Sequence, residues 1–202
     1  MKLIGRNHSP YVRRVAVALQ MAGVPYEQEF WGLFSDADLI RTVSPMRRVP
    51  ALVLDDGEVL IDSAAILDHL ADLHGPEAIG LPATGPERRA VTQVVAWAVA
   101  CVEKMIAAAQ EKGNRSPEMI QHDLIGRIEA QAHVGFAELE RRLTGDWFVG
   151  GRLTQGDAMA AITVSFAGIF APGLIAAGQY PRLQALVARI EGLAPFQATY
   201  PR

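Results

Sequence analysis

Residues 48–63 read R-V-P-A-L-V-L-D-D-G-E-V-L-I-D-S, and they decide how the front of the chain is built. Two apolar runs, Ala51–Leu54 and Val59–Ile61, flank D-D-G-E, and Asp56-Gly57 supplies the residue types a type I′ turn needs at positive φ. The stretch therefore predicts a β-hairpin. Pro50 fits at the first position of a strand, where no ladder needs its missing N–H, and on its own it reads as a turn proline. Asp62-Ser63 then opens a helix that runs to Leu73 and is closed by Gly75 and Pro76; either side-chain oxygen suits the N-cap.

Toward the N-terminus, Leu3 and Ile4 predict a short strand and Tyr26–Phe30 alternate as a second. Between them Pro10–Ala22 predict a helix with Val12, Val15, Ala16, Leu19 and Ala22 on one face and Gly23 at its end. Ser9, directly before Pro10, is placed to cap it. The order is β-α-β, a variable link, then β-β-α. From Gly80 to Glu87 the chain turns to Pro, Gly, Thr and Ala, the chemistry of a linker. Beyond it the helical period dominates. Pro86 starts a helix carrying Val91, Val94, Val95, Ala98 and Val102 inward, and Ser116-Pro117 predict another that reaches about Leu143. Thr154–Asp157, T-Q-G-D, cap a very apolar helix, and Leu183, Leu186, Val187 and Ile190 mark a last one after Pro181.

The chain has 202 residues, half of them hydrophobic, enough for one large domain or two small ones. A net charge of -3 lacks the basic excess that nucleic-acid binding needs, and the apolar runs are read as too interrupted for a membrane. A cytoplasmic protein is expected. A single cysteine, Cys101, excludes an internal disulfide, and the histidines have no acidic or cysteine partners that would complete a metal set.

Four pieces stand in a telling order: S-P-Y-V-R-R-V at 9–15, R-V-P-A-L-V at 48–53, I-D-S-A-A-I at 61–66 and L-T-Q-G-D at 153–157. Together they make the chain resemble the cytosolic glutathione transferases, in particular bacterial members of serine type, over essentially its whole length. The resemblance implies an α/β thioredoxin-like N-terminal domain with a mixed four-stranded sheet over residues 1–76, a linker over 77–86 and an all-α domain over 87–202. It implies glutathione as co-substrate, no metal, and a homodimer. It also implies a cis peptide bond at Val49-Pro50, with the Val49 backbone pairing with glutathione like an added strand. Asp62 and Ser63 would hold the γ-glutamyl end, and Arg48 would meet the glycine carboxylate. At Arg47 the chain departs from the family, which often has Gly there. Ser9 stands where serine- and cysteine-type members place the group that stabilises the thiolate, with Tyr11 as the alternative. An apolar second-substrate pocket would draw on Tyr11, Trp97, Met105, Phe166 and Phe170, with Tyr200 or Trp31 as further candidates. The activity implied is transfer of glutathione to a small electrophile. Glutathione-dependent reduction or isomerisation, and a non-catalytic interaction protein on the same fold, stand as alternatives.

Overall fold

In the computed structural model, which describes residues 1–201, the chain divides into two compact units, Met1–Arg88 with the segment from Ile190 onward, and Arg89–Arg189. The first is built on four strands, β1 (Lys2–Ile4), β2 (Glu27–Glu29), β3 (Ala51–Val53) and β4 (Val59–Leu60), in the order β2-β1-β3-β4. β1 and β2 are parallel, which requires the crossover helix α1 (Pro10–Met21); β1–β3 and β3–β4 are antiparallel. Leu3 pairs with Leu52, and Leu52 with Leu60. A short α2 (Ala37–Val43) fills the link that shows no clear period in the sequence, and α3 (Ser63–His74) follows the hairpin. The core is the inward face of α1 with Leu3, Leu52 and the α3 residues Ile66, Leu67 and Leu70, all at most 3% exposed.

The second unit holds most of α4 (Gly85–Gly113), with α5 (His122–Arg142), α6 (Gln155–Phe170) and most of α7 (Pro181–Glu191). A Cβ on Gly156 would meet Val94 at 3.2 Å, and one on Gly135 would run into the Cys101 sulfur, so glycine sets how closely α6 and α5 approach α4. By length and composition α4 passes for a bilayer span, but Val91, Val94, Ala98, Cys101, Val102 and Met105 are buried in its fold. Thr154 and Asp157 form the expected capping box at the start of α6.

Two boundaries differ from expectation. The helix predicted from Ser116-Pro117 starts only at His122, because Ser116 spends its hydroxyl on Glu118 at 2.5 Å and Ile120 takes an extended conformation after one 3₁₀ turn, Pro117–Met119. The helical unit does not run to the C-terminus either: residues from Ile190, including α8 (Ala194–Ala198), belong to the first unit. The reason is a buried arginine. Arg13 on α1 is 1% exposed and donates to both carboxylate oxygens of Glu191, at 2.8 and 2.5 Å, and to the Phe196 carbonyl at 3.2 Å. Phe196, fully buried, and Tyr200 stand over its guanidinium with ring centroids 5.9 and 5.4 Å away.

Candidate binding and catalytic site

The loop after β1 carries the first group. Gly5 has φ +125°, and a Cβ there would lie 2.6 Å from Val12 Cγ2 and 3.0 Å from Val49 Cβ. Only glycine lets the turn into α1 pass so close to the segment before β3. Gln28 locks the loop by donating from Nε2 to the Gly5 carbonyl (2.9 Å) and to Asn7 Oδ1 (2.8 Å). Ser9 is the N-cap of α1 with extended backbone, and its Oγ accepts from the Val12 N–H at 3.4 Å. That bond uses a lone pair, so the hydroxyl proton stays available for an acceptor outside the chain. Tyr11, partly exposed, lies two residues on.

The second group is Val49 and Pro50. Their peptide bond is cis. Ser44, fully buried, fixes the approach: its carbonyl accepts from Arg47 N–H at 2.7 Å and its Oγ from Arg48 N–H at 3.0 Å. Val49 lies just outside β3, and among the described residues no hydrogen bond engages its N–H or C=O. A half-buried backbone unit with both groups unspent is a place for another extended chain to pair. Arg47 and Arg48 are both exposed, and Arg47 holds φ +54°, the left-handed region.

At the third group the structure settles which residue caps α3. Asp62 does, accepting from the Ala64 N–H at 2.9 Å, while Ser63 is 3% exposed and accepts from Arg14 Nη1 at 3.4 Å. Arg14 is the residue that sequence reasoning missed. A cation on a helix normally reads as surface; this one is 6% exposed, with no hydrogen-bond partner for Nε among the described residues. Burial pushes its pKa down to about 10, against the pull of Asp62 and then Tyr11, so it remains a cation at neutral pH. The signal was faint: Arg14 stands two places after the buried Val12, next to Val15, on a face of α1 that turns out to be interior. A buried cation beside a helix N-terminus makes the Asp62-Ser63 corner attractive to a carboxylate, while exposed Asp62 can accept from an ammonium group.

The residues expected to line an apolar pocket differ in burial within their own units. Met105 (2% exposed) and Phe166 (8%) are interior side chains of the helical unit, Phe166 stacking on Phe170 at 4.6 Å. Trp97 and Tyr11 are partly exposed, and Tyr200 is half-exposed in the first unit. Cys101 is buried, and burial raises its thiol to about 12. Among the described residues no group of three or more His, Cys, Asp or Glu is placed to hold a metal.

A model of the glutathione S-transferase N-terminal domain family matches residues 3–78. A maleylacetoacetate isomerase of Pseudomonas aeruginosa is 36% identical over 50% of this chain and 49% of its own length. The chain spans about half the length of this and another of the curated relatives it matches. Solved structures cover it more fully. A glutathione S-transferase from Methylobacterium radiotolerans, in complex with glutathione sulfonate, superposes with a TM-score of 0.92 at 26% identity over 99% of this chain and 94% of that one. One from Methylobacillus flagellatus, with GSH bound, gives 0.92 and 26% over 100% and 99%.

Proposed function

We propose that the chain is a member of the glutathione transferase superfamily, that it binds glutathione in its first unit, holds the sulfur as a thiolate at Ser9 and transfers it to a small electrophile. The observation that carries the reading is the unspent Val49 backbone beside the cis bond to Pro50, with Gly5 holding the start of α1 close to it. Each residue then has a task. Val49 pairs through N–H and C=O with the cysteinyl backbone of the tripeptide. Asp62 accepts from the γ-glutamyl ammonium, and Ser63, the α3 N–H groups and Arg14 draw in its carboxylate. Arg48 stands free in solvent to meet the glycine carboxylate.

Ser9 deals with the sulfur. A free thiol has a pKa near 8.5 and is only a few per cent ionised at neutral pH, so one hydrogen bond to the anion raises the reactive fraction several-fold. Tyr11 is the alternative donor. The resemblance to the isomerase supports a second reading, glutathione-dependent isomerisation. A non-catalytic interaction protein would have no need of the preserved Ser9, Val49-Pro50 and Asp62-Ser63 set. The working form is proposed to be a homodimer, checked by light scattering on the eluted peak.

The test is retention on glutathione resin with elution by free glutathione, joined to thermal unfolding with and without millimolar glutathione. A ligand at a hundredfold its Kd stabilises by about 2.7 kcal/mol, a shift of several degrees. Absence of both retention and heat protection would sink the proposal.

A further inference from the structure

Resting on the reading above, the geometry points to the chemical class of the electrophile. A cleft of about 450 Å³ is lined by Arg6, Asn7, His8, Phe30, Ala198 and Tyr200, all within the first unit, and Asn7 and His8 are the two residues directly before Ser9. We propose that this cleft receives the second substrate, and that the substrate is a flat, mainly apolar electrophile bearing a carboxylate.

Two kinds of wall support this. The apolar side is Phe30 and Tyr200, 58% and 50% exposed, with the methyl of Ala198; exposed rings facing a cleft present area that a flat ligand removes from water. Among the described residues the polar side offers donors and no carboxylate. Gln28 Nε2 must donate to the Gly5 carbonyl, which fixes its amide, so the Asn7 oxygen faces Gln28 and, among the described residues, the two N–H bonds of Asn7 Nδ2 are left unspent. Arg6 is held in place: its Nε donates to the Phe30 carbonyl at 2.8 Å, its Nη2 donates to Ser35 Oγ at 3.3 Å, and Asp36 lies 3.5 Å from that same Nη2. Ser35 and the Gly32 N–H already occupy the Asp36 carboxylate, keep it below the usual range, and leave Arg6 only one edge of its company. Nη1 of Arg6 and the ring of His8 make no hydrogen bond among the described residues. An orienting cation, an amide and an imidazole beside two rings match a carboxylate on an aromatic or unsaturated frame. The far wall is anchored as well, since Tyr200 lies over the buried Arg13.

The probe is a para-chloro-dinitrobenzoate and its methyl ester. In each, the glutathione thiolate forms a sulfur–carbon bond, the carbon–chlorine bond breaks, and chloride leaves with the electron pair; the thiol proton has gone to solvent. Each kcat/KM is divided by the uncatalysed rate, which removes the difference in intrinsic reactivity. The acid is expected to be favoured about tenfold in the wild-type protein, the worth of one charge-assisted hydrogen bond. Arg6→Gln should bring the acid-to-ester ratio close to one, and Arg6→Lys should keep most of it. Should Arg6→Gln fail to fold, competition in the wild type decides: unreactive benzoate must inhibit ester turnover at least several-fold more strongly than benzamide. A ratio of one or below in the wild type, no turnover of either probe, or equal inhibition by the two benzoyl compounds overturns the assignment. If the protein still holds to glutathione resin, only the substrate class falls; if it does not, the transferase reading falls with it.

Discussion

Arg14 occupies a position where function and stability pull apart. Among the described residues its buried guanidinium makes one hydrogen bond, to Ser63, and its Nε makes none, so the folded chain disfavours the charge it must carry. Replacing a poorly compensated buried ion by an apolar side chain of similar reach is often neutral or stabilising. Arg14→Met is therefore expected to raise the urea midpoint by an amount equivalent to about 1 kcal/mol in the absence of ligand, while weakening glutathione binding roughly tenfold by calorimetry. Equal loss of both would mean that Arg14 serves only the fold. Ser9→Gly separates the two uses of that side chain, because Gly caps nearly as well but donates nothing. The variant is expected to fold and bind glutathione; its bound thiol pKa moves up toward 8.5 and the acid limb of kcat/KM moves to higher pH with it, since only the thiolate attacks. An unmoved limb would shift attention to Tyr11. Arg47→Gly should stabilise by about 0.5 to 1 kcal/mol, as φ +54° penalises a side chain more than glycine's extra freedom costs. Ser9, Val49 and Asp62 were legible because each sits at a punctuation mark of the sequence, a cap or a proline. Arg14 was not, since burial of a cation is set by what α3 lays over it, and no local pattern records that.

The capping box of α6 is the best-defined element start in the chain. Asp157, fully buried, accepts from the N–H and hydroxyl of Thr154 at 2.8 and 2.6 Å and from the Phe148 N–H at 2.8 Å. Its surroundings raise its pKa through burial while those three donors hold it down. Asp157→Ala strands three donors in the interior of the helical unit and is expected to cost roughly 3 kcal/mol, read as a lower urea midpoint with unchanged slope. Asp157→Asn, which keeps part of the acceptor set, should lose less. The T-Q-G-D signature announced this start because the whole device lies within four residues. The β-hairpin was legible for the same reason. Where the deciding partner was a competing local bond, as with Ser116 and Glu118, the helix start was misplaced by five residues, from Pro117 to His122. Short α2 escaped notice because seven residues with a single buried member, Ile40, carry no period to read.

At the scale of the whole molecule the decisive tie is Arg13 with Glu191, 178 positions apart. No pattern in either neighbourhood announces it, which is why residues 190–202 read as helical-domain sequence. Removing one partner of a buried ion pair leaves the other uncompensated, so Glu191→Ala is expected to destabilise the first unit by about 3 kcal/mol. A fragment ending at Arg88 should lack a cooperative thermal transition and bind a hydrophobic dye, having lost Glu191 and Phe196 together; a sharp transition would show that the tail is dispensable. The split unit also bears on birth order. A ribosome releases residues 89–189 between the two portions of the first unit, and at about 5 to 20 residues per second that interval lasts roughly 5 to 20 seconds. For that time Arg13 waits for its counterion and the first unit stands unfinished, so a late nonsense codon would injure the earliest-made part of the protein.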